Sequence, residues 1–201
     1  MKAAARARRR EEIMNAAVAV LAAKGYRDAS MLDVARRASA SKETLYNWFG
    51  DKQGLYEAVI RRNAGTVRAV LTRHLDGHAP AEQVLCEFGS ALLQLLLGDD
   101  AVAINRAAIS EASADPQLAK ILASAGRDAT MPHFIAFLEA RRNVENWDMA
   151  DANAAAETFL GLLVGDLQIR RLLGVAKKPM QDTIKARAAR AANGFLRLYT
   201  K

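Results

Sequence analysis

The tightest constraint in this sequence is the spacing of two helix starts. Ser30-Met31-Leu32-Asp33 has the form of a capping box, in which the serine hydroxyl and the carboxylate satisfy each other's backbone N–H groups. Ser41 can cap a second helix in the same way. Only Ser39-Ala40-Ser41 separates the two, so both helices are short and the chain turns sharply between them. Leu45, Trp48 and Phe49 follow an i, i+3, i+4 pattern and can pack on Val34, Ala35 and Ala38. The segment before them, from about Ala7 to Lys24, sets Ile13, Ala17, Val20 and Leu21 on one face and stops at Gly25. A short helix pair braced by a longer helix is a helix-turn-helix unit.

The rest of the chain reads as helix as well. Ala, Leu, Arg and Glu dominate and β-type alternation is missing, so the fold class is all-α. Gly50-Asp51 ends the second short helix, and Asp51 caps a fourth helix running to roughly Leu75. Helices are expected over about 80–97, 100–113, 116–125 and 132–142, with Pro80 and Pro116 at starts and Pro132 starting or kinking the last of these. A long helix over about 149–173 stops at Gly174, and Pro179 opens the final one. The expected division is a helix-turn-helix domain over 1–60 and a larger helical domain over 61–201.

Charge separates the two parts. Residues 1–62 hold 13 Lys and Arg against 7 Asp and Glu, which is +6 of the chain's net +7. An excess confined to the helix-turn-helix third suits a polyanionic partner. Lys2 to Arg10 reads as an exposed basic arm. On the second short helix the apolar stripe leaves Lys42, Glu43, Thr44, Tyr46 and Asn47 facing outward. Lys and Asn can read base edges in a major groove, and the Thr methyl can meet a thymine methyl. Tyr46 and Lys52 suit phosphate oxygens, which set register without reading sequence.

The run from Ser30 to Leu55, with Thr44-Leu45-Tyr46, Phe49 and Lys52 in register, closely resembles the tetracycline-repressor (TetR) family of bacterial regulators. Ile13-Met14-Asn15-Ala16-Ala17 and Gly25-Tyr26 resemble that family's first helix, so the likeness covers about residues 8–60. It implies a recognition helix at 42–48, Tyr46 and Lys52 on phosphates, and contacts from Lys42, Glu43, Thr44 and Asn47. It also implies contacts from the start of the preceding helix, Ser30 and Met31. Two positions depart from the family pattern. Ser39-Ala40 stands where Gly-Val is commoner, and Trp48, either a core brace or a backbone contact, stands where a smaller aromatic is frequent.

Beyond residue 60 the physical pattern alone speaks. In the 149–173 segment Phe159, Leu163 and Leu167 share a face with other apolar residues, and a helix apolar on more than one side must bury more than one side. The last helix carries Ile184, Ala188, Ala191, Phe195 and Leu198, a 4-3-4-3 stripe. Both helices either pack with their copies as an intermolecular bundle or complete the protomer's own core. The resemblance implies the homodimer. It also implies a pocket for a small apolar or amphipathic effector among the helices between 60 and 170, with Gln94, Asn105, Arg106, His133 and Gln168 as candidate polar groups.

Other classes find little support. His74 and His78 are spaced i, i+4 but lack a third ligand, so no metal site is expected, and no cofactor motif, phosphate loop or nucleophile elbow is present. Cys86, set among Val84, Leu85 and Phe88, reads as a small core residue and suits a reducing cytosol. The most apolar stretch, Ala152 to Leu173, is broken by Glu157, Asp166, Arg170 and Arg171, and no membrane span is expected. The expectation is therefore a bacterial cytosolic regulator on the nucleoid that binds a palindromic operator in double-stranded DNA, is not an enzyme, and acts as a repressor. A constitutive DNA binder without an effector, and a helical adaptor for an acidic protein, are the alternatives.

Overall fold

Eleven α-helices account for the fold in the computed structural model, which describes residues 2–74 and 78–200, Lys2 by its backbone alone. They are α1 (Lys2–Asp28), α2 (Met31–Arg37), α3 (Lys42–Phe49), α4 (Lys52–Arg73), α5 (Ala81–Leu97), α6 (Asp99–Glu111), α7 (Gln117–Leu122), α8 (Ala129–Val144), α9 (Ala152–Val164), α10 (Leu167–Leu172) and α11 (Gln181–Tyr199). The structure is 81% helical, with no strand among the described residues, and the class is all-α. Among the described residues no helix is long and apolar enough to cross a membrane. The expected end of α4 near Leu75 lies outside the described residues.

Most boundaries follow the caps. Asp33 N–H donates to Ser30 Oγ at 3.1 Å and Ser30 N–H to Asp33 Oδ2 at 3.2 Å. Ser41 Oγ accepts from Thr44 N–H at 3.1 Å, and Asp51 Oδ1 accepts from Gly54 N–H at 2.8 Å. At Gly25 the backbone leaves the helix with φ of 76°, a value that glycine adopts without strain.

Three expectations need correction. The basic arm is the first turns of α1, where Arg8 and Arg9 pair with Glu12 at 3.2 and 2.7 Å and extend the helix toward the terminus. The helix expected over 149–173 is broken at Gly165, whose φ is 50°. Arg187 Nε there donates to the Leu163 carbonyl at 2.8 Å and satisfies an acceptor that the break exposes. Pro132 lies within the first turns of α8 rather than starting it, and a π-helical turn, Ala123–Asp128, precedes that helix. Proline lacks an N–H and crowds the carbonyl four residues back, so a widened turn just before it relieves the clash.

The chain divides into two compact units, and the division differs from a single cut at residue 60. Unit 1 holds residues 1–62 and 100–126; unit 2 holds residues 63–99 and 127–201. Residues 100–126 join the helix-turn-helix because Ile104, Ala107, Ala108, Leu118 and Ile121 are buried in the same apolar cluster as Ile13, Leu45, Leu55 and Val59.

Unit 2 is centred on α5, against which α9 and α11 pack. An aromatic chain runs through it: Phe88 stacks on Phe134 at 4.3 Å, Phe134 lies 5.3 Å from Phe159, and Phe159 meets Phe195 edge-on at 5.8 Å. Most of the residues offered for a dimer seam fall in this core, the second of the two readings that the stripes allowed. Phe159, Leu163, Ile184, Ala188, Ala191 and Phe195 are buried within the protomer. Leu167 is partly buried against the same core, and Leu198 alone of the set is exposed. Cys86 is half-buried at the core's edge rather than inside it, and burial pushes its thiol pKa up.

The close approach of α5 to its neighbours depends on Gly89. A Cβ at that position would lie 3.1 Å from Leu163 Cδ1 and 3.3 Å from Ala188 Cβ. Gly89→Val should therefore lower stability by roughly 1–3 kcal/mol through overpacking, despite valine's better helix propensity. Urea unfolding followed by circular dichroism measures this; a variant as stable as the parent would show that the core has slack at this point.

Candidate nucleic-acid interface

The site is built on α3. Leu45 is fully buried and Phe49 nearly so, both against α1, α2 and α4, so the helix has one fixed rotation about its axis. That rotation turns Lys42, Glu43, Tyr46 and Asn47 outward, with Lys42 Nζ 5.5 Å from the Tyr46 ring centre. Thr44 is half-buried and its Oγ1 lies 2.9 Å from Ser41 Oγ, so the hydroxyl serves the cap. Trp48 is half-buried against the unit 1 core and forms one wall of an open cleft of about 490 Å³.

Two of the expected DNA-facing residues change role in the structure. Met31 is buried and presents no side chain to a ligand. Ser30 is exposed, but its hydroxyl is held by Asp33, donating at 2.7 Å to Oδ2. Lys52 keeps its place beside α3 and is engaged within the protein. Its Nζ donates to the Tyr26 carbonyl at 2.8 Å and lies 4.3 Å from the Tyr26 ring centre, so it holds the end of α1 against the start of α4.

Five residues outside the expected set shape the surface. Arg9 Nη2 donates to the carbonyls of Ala38 and Ser39, each at 2.7 Å, and ties the turn between α2 and α3 to α1. Ser39 holds the left-handed conformation, with φ of 50°. Arg6 lies 5.5 Å from the Trp48 ring centre and Arg10 lies 5.0 Å from that of Phe49, so both guanidinium groups flank the end of α3. Gly54 sits so close to α3 that a Cβ there would stand 2.1 Å from the Phe49 carbonyl oxygen. The i, i+4 spacing of Arg6 and Arg10 was visible in the sequence. The acceptors of Arg9, 29 and 30 residues away, left no local signal.

The candidate effector-binding side chains are divided between the two units. Gln94 and His133 are exposed and Gln168 half-buried in unit 2; Arg106 is exposed and Asn105 half-buried in unit 1, where Asn105 donates to the Ala101 carbonyl of its own helix at 2.8 Å. Among the described residues no three His, Cys, Asp or Glu side chains are placed to hold a metal ion. His74 Nε2 instead lies 2.9 Å from a carboxylate oxygen of Glu87.

A short exposed helix, held behind by two others and edged with cations, defines the class of helix-turn-helix regulators. Comparison with known proteins narrows this. Residues 13–59 match the model for "Bacterial regulatory proteins, tetR family", and residues 83–201 match that for the "AefR-like transcriptional repressor, C-terminal domain". The second match alone covers more than half of the chain, and the chain belongs to the TetR family. A TetR-family regulator from Mesorhizobium loti is similar over 97% of this chain and 98% of its own, with 25% identity and a TM-score of 0.78. A TetR regulator from Agrobacterium tumefaciens is 31% identical over 94% of each chain, with a TM-score of 0.71. The HTH-type transcriptional regulator BetI of Serratia proteamaculans is 32% identical over 79 residues, 38% of this chain and 40% of its own. The chain spans between 34% and 44% of the length of the first three curated relatives it matches.

The capping box under the interface makes its stability depend on pH. Lys24 Nζ lies 2.8 Å from Asp33 Oδ1, and this contact, with the bonds from Ser30, holds the Asp33 carboxyl at about 2, below its ordinary 3.8. A carboxyl with a lowered folded-state pKa stabilises the fold above its unfolded value and loses that contribution as pH falls toward the folded one. Asp33→Asn should be less stable than the parent at neutral pH, and the gap should close between about pH 3.8 and 2. Paired urea titrations across that range would contradict the capping role if the gap stayed constant.

Proposed function

We propose that this chain is a homodimeric transcriptional repressor that binds a palindromic operator in double-stranded DNA and is released by a small apolar or amphipathic effector. The observation that carries the DNA reading is the outward set Lys42, Glu43, Tyr46 and Asn47 on a helix whose buried face leaves it no other rotation. Lys42 and Asn47 have the donors and acceptors to read base edges. Tyr46, Arg6 and Arg10 suit the adjoining phosphates. An ammonium group has three donors, so Lys52 can keep its bond to Tyr26 and still reach a phosphate.

One recognition helix spans too few base pairs for useful specificity, so two copies are needed, facing half-sites about 34–36 Å or a multiple apart. The outer face of α9 and α11 supports the dimer. Leu162 is 37% exposed and lies across Gly194, at 3.6 Å from where a Cβ would be. Gly161 beside it meets nothing within 4 Å of its own notional Cβ, and Leu198 is 62% exposed one turn beyond Gly194. A face of glycines and leucines allows two helix pairs to approach closely.

Release by an effector fits the sharing of α4 between the units: its first half belongs to the helix-turn-helix core and its second half to unit 2. An effector shifts the equilibrium only by the ratio of its affinities for the bound and released forms, and tenfold is about 1.4 kcal/mol. The cytosol, on the nucleoid, is the compartment this function requires.

In a selection from random duplexes, Lys42→Ala and Asn47→Ala should change the preferred bases, because removing a bidentate hydrogen-bond pair to a base costs about 1–3 kcal/mol of discrimination. Tyr46→Phe should weaken all sequences alike. Unchanged preference in the Lys42 and Asn47 variants would sink the assigned reading surface.

Leu162→Asp should turn the dimer into monomers in light scattering, keep the helical circular dichroism and lose operator binding. A parent protein that is already monomeric at micromolar concentration would remove the homodimer.

A further inference from the structure

Arginines that enter the interior of unit 2 are matched by oxygen acceptors, with one exception. Arg141, 6% exposed, donates to the Ala79 carbonyl and to Glu145 Oε1. Arg171 donates to the carbonyls of Leu97 and Ala176, each at 3.1 Å, and to Asp99 at 2.7 Å. Arg187 serves the Leu163 carbonyl. Arg68, on the second half of α4, differs. Its Nη1 is the one buried side-chain nitrogen or oxygen among the described residues with no hydrogen-bond partner.

Arg68 as a whole is half-buried, and Nη1 is the part of its guanidinium closed off from solvent. Val67, Val70 and Leu71 on the same stretch of α4 are buried in the unit 2 core. A Cβ on Gly65 would lie 3.9 Å from Arg68 Nη2, so the guanidinium leans back over Gly65, the direction in which helical side chains point, and the glycine leaves room beside it. A guanidinium cannot shed its proton to relieve burial. A buried charged donor without an acceptor is costly, and native proteins rarely keep one without a reason. Planar paired N–H groups match the oxygens of a carboxylate or phosphate.

We infer that Arg68 is the anion-recognising group of an effector site in unit 2, taking the carboxylate or phosphate of a ligand whose body is apolar. This rests on the effector reading above and gives the effector a charge. It also sets the site's contact on α4, the helix whose first residues are Lys52 and Gly54 beside α3.

The test uses thermal melting of the whole chain with sodium octanoate, octyl phosphate and 1-octanol, in the parent, Arg68→Met and Arg68→Lys. The two anions separate carboxylate from phosphate, and the alcohol controls for the apolar body. At least one anion should raise the parent's melting temperature and the alcohol should not. Arg68→Met should bind that anion roughly tenfold or more weakly, with Arg68→Lys between. Without ligand, Arg68→Met should melt at the parent's temperature or above it, because an unmatched buried charge has been removed. A lower melting point for Arg68→Met alone would make Arg68 a structural residue and overturn the inference, as would an equal shift from octanol or no shift from either anion. Operator binding in the same samples separates the two readings. An anion that binds through Arg68 and leaves operator affinity unchanged defeats the release mechanism and spares the site. Release by a probe that ignores Arg68 does the reverse.

Discussion

The recognition helix lies where it does because α4 begins against its last turn. At Gly54 the two backbones are so close that a Cβ would stand 2.1 Å from the Phe49 carbonyl oxygen, and a carbonyl in a helix cannot step aside as a side-chain tip can. Asp51 caps the first turn of α4 at this same point, and Leu55, Tyr56, Val59 and Ile60 follow it directly into the core. Tyr56 closes the arrangement by donating from its hydroxyl to the Ala17 carbonyl of α1 at 3.1 Å, and burial pushes its pKa far up, so it stays a neutral donor. The surface of α3 is thus specified from behind. Lys42, Glu43, Tyr46 and Asn47, exposed on its outer side, have no part in that core.

Two cations complete the frame without appearing to belong to it. Lys52 binds the end of α1 and Arg9 binds the end of α2, each at carbonyls that a helix leaves without internal partners. Helix ends carry partial negative charge, so a cation suits them electrostatically as well as by hydrogen bonding. Part of the basic character of unit 1 therefore serves the fold. Arg6, Arg8 and Arg10 on α1 and Lys42 on α3 are among the basic residues that stay exposed.

What could be read in the sequence was what local chemistry decides. Ser30, Asp33, Ser41, Asp51 and Gly25 act within three or four residues of themselves, and each boundary they imply is found. Nonlocal choices were opaque. The stripe Ile184, Ala188, Ala191 and Phe195 announces that one face of α11 is buried, but periodicity does not say by what, and α5 and α9 of the same protomer cover it. The break at Gly165 was masked by the apolar residues on both sides and is stabilised by Arg187 from another helix. Residues 100–126 carried no charge or punctuation that would tie them to unit 1. The outward set on α3 was legible because α3 is short and its inner face is strongly apolar; the burial of Met31 follows from which way α2 is rolled.

Ser39 carries a consequence for how this sequence can change over evolution. It holds a left-handed conformation that side chains with a Cβ adopt reluctantly, and its own carbonyl is one of the two that Arg9 grips. The turn is therefore a joint property of two positions thirty residues apart. A glycine at 39 would accept the conformation unaided and free position 9 to drift, whereas serine makes the arginine matter. Among relatives, positions 9 and 39 should covary: arginine persists where 39 carries a side chain and is lost more often where it is glycine. A pair thirty residues apart would then bear a mark of constraint that neither position shows alone.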